Sequence, residues 1–211
     1  MASKHQKIRV QLEKAAQAGL NVLMEGPHGT GKTSLAIGVA GGARLRLKYY
    51  SASTLDPFVD LVGLPVPTTD DEGNRSLTYH RHVDINEAEI VFFDELNRAH
   101  MKVLNAVLEM IQFRSINGEP LPKLRAVFAA CNPADGTYEV QDLDPALVDR
   151  FHMHVLFGPE PDKEWFSKRF NGVGLALYDW WVTDLDGEQQ RHVSPASSST
   201  LGCSSRMTVI R

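Results

Sequence analysis

The chain has 211 residues, 43% of them hydrophobic and 23% charged, with a formal net charge of −4. That composition fits one folded domain with a small appendage, excludes collagen-like, coiled-coil and disulfide-scaffold classes, and argues against a general phosphate-backbone binder. Two cysteines, Cys131 and Cys203, fit a reducing compartment; with no apolar leader and no run of 18 apolar residues in the sequence, a cytoplasmic protein is expected.

Residues 6–18 read as a helix with Ile8, Leu12, Ala15 and Ala16 on one face. Val22-Leu23-Met24 is a buried strand that meets a glycine turn at Glu25-Gly26-Pro27, and residues 32–40 suit a helix stopped by Gly41-Gly42. Residues 45–50 alternate as a strand. Residues 54–76 carry Pro57, Pro65, Pro67 and an acidic cluster and read as a loop, with a short strand at 77–82. Ile90-Val91-Phe92-Phe93 is the clearest buried strand, followed by a helix over 97–112 and an Asn117-Gly118 hairpin. Ala126–Ala130 is another buried strand, Asp144-Pro145 starts a short helix, and residues 152–157 read as a fifth strand. Strand and helix alternate and several strands lack a polar face. The expected fold is therefore α/β, a three-layer αβα sandwich around a five-stranded parallel sheet. Residues 1–158 form its core. Residues 159–193, helical over 161–182, form a short partial lid, and the serine-rich residues 194–211 have no periodicity.

Residues 26–33 read GPHGTGKT and satisfy G-x-x-x-x-G-K-[ST]. The backbone of such a loop (Gly26, Pro27, His28, Gly29, Thr30, Gly31, running on to Ser34) curls around a nucleotide phosphate through its N–H groups, which every one of these residues but Pro27 owns, and the next helix points its positive end there. Lys32 would reach the β- and γ-phosphates and Thr33 would ligate Mg²⁺. His28 occupies a variable position and reads as a solvated loop side chain. Some sixty residues on, the strand at 90–93 ends in Asp94-Glu95. The first carboxylate can hold Mg²⁺ and the second can activate water against the γ-phosphate. A GTPase would more often show an Asp-x-x-Gly after this strand and an Asn-Lys-x-Asp later, and neither occurs; the pair favours hydrolysis, while base-reading residues have no fixed motif and leave ATP and GTP both open.

Asp94-Glu95-Leu96-Asn97-Arg98-Ala99, followed by the helix through Leu108-Glu109 and the Asn117-Gly118 hairpin, resembles the MoxR-like and dynein-related branch of the AAA+ ATPases. Ala129-Ala130-Cys131-Asn132-Pro133 resembles that branch's sensor 1 strand, residues 143–151 its LPEAxLDRF segment, and Asp60-Leu61-Val62-Gly63 its DLxG. The resemblance covers residues 21–158. It implies Mg²⁺–ATP hydrolysis with Glu95 as water activator, Asn132 as sensor 1 and Arg150 as the arginine finger reaching a neighbour's nucleotide, hence a ring, usually a hexamer. Arg98 is a second interface candidate. It further implies a chaperone that remodels a protein partner, with proteins carrying a von Willebrand A-type domain as the implied partner class. A nucleic-acid motor or loader on the same core is the alternative. A nucleotide-binding switch or inactive subunit is the third, because the lid is short and Ala196 follows Ser194-Pro195 where the branch often has arginine. Arg191 and Arg206 are poor substitutes.

Other features have plainer readings. His80-x-His82 and His152-x-His154 lack further ligands for zinc. Tyr178, Trp180 and Trp181 suit lid packing, Arg44–Lys48 a half-solvated edge strand, and Cys131 a core filler. The segment 56–81 could line a ring pore.

Overall fold

The protein is described by a computed structural model over residues 4–69, 71–80, 83–133, 141–159 and 162–192. In chain order, helix α1 (Lys4–Ala18) leads to strand β1 (Val22–Glu25), α2 (Lys32–Gly42), β2 (Leu47–Ser51) and a π-helical turn (Pro57–Val62). Strands β3 (Leu64–Thr69) and β4 (Arg75–His80) follow, then α3 (Val83–Glu87), β5 (Ile90–Asp94), a 3₁₀ turn (Leu96–Arg98) and α4 (Met101–Phe113). The remainder is β6 (Ser115–Ile116), β7 (Glu119–Pro120), β8 (Ala126–Cys131), α5 (Pro145–Val148), β9 (Met153–Leu156), α6 (Lys163–Phe170), a 3₁₀ turn (Asn171–Val173), α7 (Gly174–Thr183) and α8 (Gly187–His192).

Five strands make a parallel sheet in the order β2-β5-β8-β1-β9. Side chains alternate across it, as period-2 geometry requires. Val22 and Met24, Ile90 and Phe92, and Ala126, Phe128 and Ala130 face α1 and α2, where Leu12, Ala16, Ala36 and Val39 meet them. Leu23, Val91, Phe93, Val127 and Ala129 face the other way, against Val103, Val107 and Met110 of α4. Both faces are dry, which explains why these strands read as continuous apolar runs. Phe92, Phe93 and Phe128 are wholly buried, each worth about 1.5–3 kcal/mol of transfer free energy. Because the strands are parallel, their carboxyl ends share one edge. There Ser51 pairs with Asp94 and Glu25 with Cys131.

The expected α/β sandwich and its five parallel strands are present. Three local expectations need correction. Residues 54–76 are not a plain loop. The Asp56 carboxylate accepts from the N–H groups of Phe58 (2.8 Å) and Val59 (3.1 Å), which starts the π-turn, and β3 and β4 then form a two-stranded antiparallel ribbon. Its prolines are tolerated because Pro65 and Pro67 alternate with Leu64, Val66 and Thr68, so the ladder bonds fall to residues that own an N–H. The helix expected from residue 97 starts at Met101, where His100 Nδ1 accepts from Lys102 N. The single helix expected over 161–182 is broken at Asn171-Gly172-Val173, so α7 folds back on α6. Gly174 permits that approach, since a Cβ there would lie 2.0 Å from the Phe166 carbonyl oxygen. Residues 159–192 thus hold three helices where one was expected, with Phe166, Leu177 and Trp181 buried between them. Arg81, His82 and residues 193–211 lie outside the described residues, so the serine-rich tail, Cys203 and Arg206 are not located.

The plainer readings find partners. His152 Nδ1 accepts from the Asn21 N–H at 3.0 Å. Arg46, beside the edge strand β2, pairs with Glu87 at 2.7 Å. The hairpin turn is tied to α4, with Glu109 accepting from Ser115 Oγ and from the N–H groups of Asn117 and Gly118. Asn117 and Gly118 have φ of 52° and 78°, the left-handed pair that an Asn-Gly turn supplies.

Candidate functional site

A cavity of about 380 Å³ opens at the carboxyl edge of the sheet, lined by residues 28–34 together with Tyr49, Ser51, Asp94, Glu95, Cys131 and Asn132. Three sheet strands and one loop deliver these groups. The loop between β1 and α2 turns with Gly29 at φ 72° and Gly31 at φ 85°, conformations that favour glycine. Thr30 Oγ1 donates to Pro27 O at 2.9 Å and closes the turn. Gly26 sits so close to the end of β9 that a Cβ would lie 2.6 Å from Phe157 Cβ. Gly26 and Pro27 do not line the cavity. Their carbonyl oxygens accept from Lys32 Nζ at 2.6 and 2.8 Å, and Asn132 Oδ1 accepts from it at 3.3 Å. Burial pushes the Lys32 ammonium down to about 8, against the pull of Asp94.

Thr33 Oγ1 donates to Asp94 Oδ2 at 2.5 Å. A hydroxyl and a carboxylate so close, beside a phosphate-binding loop, are the hard oxygen donors that Mg²⁺ takes alongside phosphate and water, so the residues fit that ion. Among the described residues no cluster of three or more His, Cys, Asp or Glu could hold a metal by itself. Tyr49 brings its phenol to Asp94; burial, the Asp94 and Glu95 carboxylates and a hydrogen bond to Asp94 push it up.

Glu95 adopts the left-handed conformation (φ 54°, ψ 44°), which ends the strand abruptly. Its carboxylate is surrounded by polar groups: Ser53 Oγ donates to Oε2 at 3.3 Å, Arg98 Nη1 is 3.7 Å from Oε1, and His28 Nε2 is 4.0 Å from Oε1. Arg98, expected as an interface candidate, therefore meets the glutamate of its own chain. Asn132 is buried, and each of its polar groups has a partner. Besides Lys32, its Nδ2 meets His28 Nε2 at 3.2 Å, its carbonyl accepts from Asn97 Nδ2 at 2.7 Å, and its N–H donates to Asn97 Oδ1 at 3.4 Å. His28 is thus no idle loop side chain. Burial, then Lys32, lowers its imidazole below the ordinary range. Burial pushes the Cys131 thiol up to about 12, so it stays an inert thiol in the wall.

Arg150 is not brought to this cavity. Its Nη1 donates to Ala146 O, and its Nε and Nη2 lie 2.6 and 3.0 Å from the Gln112 amide oxygen once that amide is oriented to accept. Sequence reasoning gave no role to Tyr49, Ser51, Ser53 or Asn97. The first three arrive through the pairing of β2 with β5, which no local pattern announces. Asn97 carried one usable signal, a polar residue set between the buried Leu96 and Ala99.

Comparison with known proteins agrees with this geometry. A family model described as AAA domain (dynein-related subfamily) matches residues 21–151. ATP-dependent zinc metalloprotease YME1L1 of Homo sapiens is 30% identical over 191 residues, covering 87% of this chain but only 22% of that protein. Similar solved structures include the RuvB Holliday junction branch migration motor of Thermotoga maritima, at 18% identity and TM-score 0.55 over 94% of this chain and 59% of that one. NtrX from Brucella abortus, solved in complex with ADP, is 17% identical with TM-score 0.55 over 83% of this chain and 42% of that one. At these identities the two structures speak for the fold alone.

Proposed function

The chain belongs to the dynein-related subfamily of AAA domains, and from that premise we propose that it binds Mg²⁺–ATP at the carboxyl edge of its sheet and hydrolyses it. One observation carries the reading: Lys32, the Thr33–Asp94 pair, Glu95 and Asn132, from three separate segments, converge on a single cavity. Lys32 would exchange its bonds to the Gly26 and Pro27 carbonyls for phosphate oxygens. Thr33 and Asp94 would hold Mg²⁺, which when bound neutralises phosphate charge. Glu95 would take the proton of the attacking water, and Asn132, fixed at all its polar groups, would orient that water.

Arg150 does not line its own chain's cavity, which suits a finger acting on a neighbour in a ring; such a finger supplies about 10³–10⁵ in rate in other NTPases. Turnover would drive remodelling of a protein partner, a MoxR-like chaperone role, with a von Willebrand A-type domain protein as the class the resemblance implies. Proteolysis is not carried over from YME1L1, because this chain spans only 22% of it. The branch-migration activity named for the RuvB neighbour keeps a nucleic-acid substrate as the second reading.

The test is ATP turnover per subunit across a wide range of protein concentration. The rate should rise with concentration and vanish in Glu95→Gln. Mixing inactive Arg150→Ala with inactive Glu95→Gln should restore turnover, since each supplies what the other lacks. A mixture that stays dead would refute the finger in trans. A wild-type protein that binds ATP without hydrolysing it would refute hydrolysis and leave the switch.

A further inference from the structure

We propose that His28 is a positioning residue that couples Asn132 to Glu95 through its single Nε2 atom. The proposal rests on the hydrolytic reading for its consequence, but its geometry stands apart from it.

Lys32 Nζ can only donate, so the Asn132 atom 3.3 Å from it must be the amide oxygen. That fixes the other end of the amide, and Nδ2 is what faces His28 Nε2 at 3.2 Å. An amide nitrogen has hydrogens and no free lone pair to offer. His28 Nε2 must therefore accept, and the imidazole is neutral with its proton on Nδ1. Glu95 Oε1 lies 4.0 Å from the same nitrogen. A proton on Nε2 reverses the preference, since N–H would face N–H across the Asn132 contact while the carboxylate becomes its natural acceptor. One ring atom thus serves either Asn132 or Glu95.

Among the described residues, the charged groups facing the ring are Lys32 from the start of α2, Asp94 and Glu95 from the end of β5, and Arg98 from the turn beyond. Burial and the two cations favour the neutral ring, the two carboxylates the charged one, and the balance lies on the neutral side. Near neutral pH the ring holds Asn132. As pH falls through the lowered pKa, His28 would leave Asn132, whose amide loses that anchor, and engage Glu95, whose carboxylate is then drawn from the attacking water. Turnover would then decline on the acid side.

The first test needs no turnover. Long-range proton–nitrogen spectra of the ¹⁵N-labelled full chain report imidazole tautomers, and the His28 signals are those missing from His28→Asn. The Nδ1–H tautomer should dominate above the pKa, Asn132→Ala should shift the population toward Nε2–H, and Glu95→Gln should lower the His28 midpoint. A dominant Nε2–H tautomer in the wild type, or indifference to both substitutions, would overturn the coupling. The second test is kinetic. His28→Ala should lower kcat about tenfold with KM for ATP little changed, the scale expected when a water-positioning group is misplaced. His28→Asn, which can accept from Asn132 but cannot titrate, should recover more of kcat than alanine and lose the acid limb. An unchanged kcat in His28→Ala, or a rise in KM alone, would make His28 only part of the loop's structure. Were the wild type to hydrolyse nothing, the hydrolytic reading would fall while the spectra still decided the coupling.

Discussion

Replacing Asn97 by alanine tests whether the site is held from behind. Asn97 is 3% exposed and bridges the backbone of Asn132 across 35 residues of sequence, with one strong bond at 2.7 Å and one long bond at 3.4 Å. Alanine would strand the buried Asn132 carbonyl, which costs about 1–3 kcal/mol, and would lose the weaker bond for about 0.5 kcal/mol more. The sum is about 1.5–3.5 kcal/mol. With a urea dependence of about 2 kcal/mol per molar, the unfolding midpoint should fall by about 0.8–1.8 M. Asn97→Asp should be no better than alanine, because it sets a carboxylate oxygen against the carbonyl it should donate to. Urea melts followed by far-UV circular dichroism give these midpoints, and ATP turnover below the transition should also fall as Asn132 loosens. A midpoint within about 0.3 M of wild type, an effect under 1 kcal/mol, would refute the reasoning.

Two further outcomes follow from the phosphate loop. Lys32 titrates near 8, and its charged form is the one that attracts phosphate. Nucleotide affinity should therefore be flat below pH 8 and weaken toward about tenfold per unit above it, measured with a fluorescent ATP analogue; a flat profile to pH 9.5 would mean that the ammonium is not the phosphate ligand. Gly26→Ala would push a Cβ to 2.6 Å from Phe157 Cβ and 2.8 Å from its carbonyl oxygen, costing about 1–3 kcal/mol by overpacking. A lower melting temperature in a thermal scan checks it, and an unchanged one would show that β9 can retreat.

The sequence disclosed the groups whose chemistry is written in local spacing. Lys32 and Thr33 follow the glycines that bend their loop, and Asp94 and Glu95 end an apolar run, so strand, turn and reactive group are contiguous. It could not disclose partners that meet through pairing. Tyr49 and Ser51 reach the cavity because β2 lies against β5, and strand order is a property of the folded sheet. The bond from Asn97 to Asn132 is of the same kind. The β3–β4 ribbon was misread for another reason. Its prolines signal a loop by composition, and only the register shows that their missing N–H groups fall outside the ladder. The break between α6 and α7 was masked because aromatic residues run through both helices, though Asn171-Gly172 marks the place.

The alternation of prolines in β3 has a consequence for self-association. A strand recruits another chain along its edge through a row of outward N–H and C=O groups, and Pro65 and Pro67 remove two donors from the outer side of β3, where only Thr69 of the same parity keeps one. The outer side of β4, with Leu77 and Tyr79 opposite those prolines, keeps its donors. The ribbon is therefore much the more competent on its β4 side. Two copies joined along β4 would leave only the proline-blunted edges outside, so stacking by this route favours a pair over a fibre.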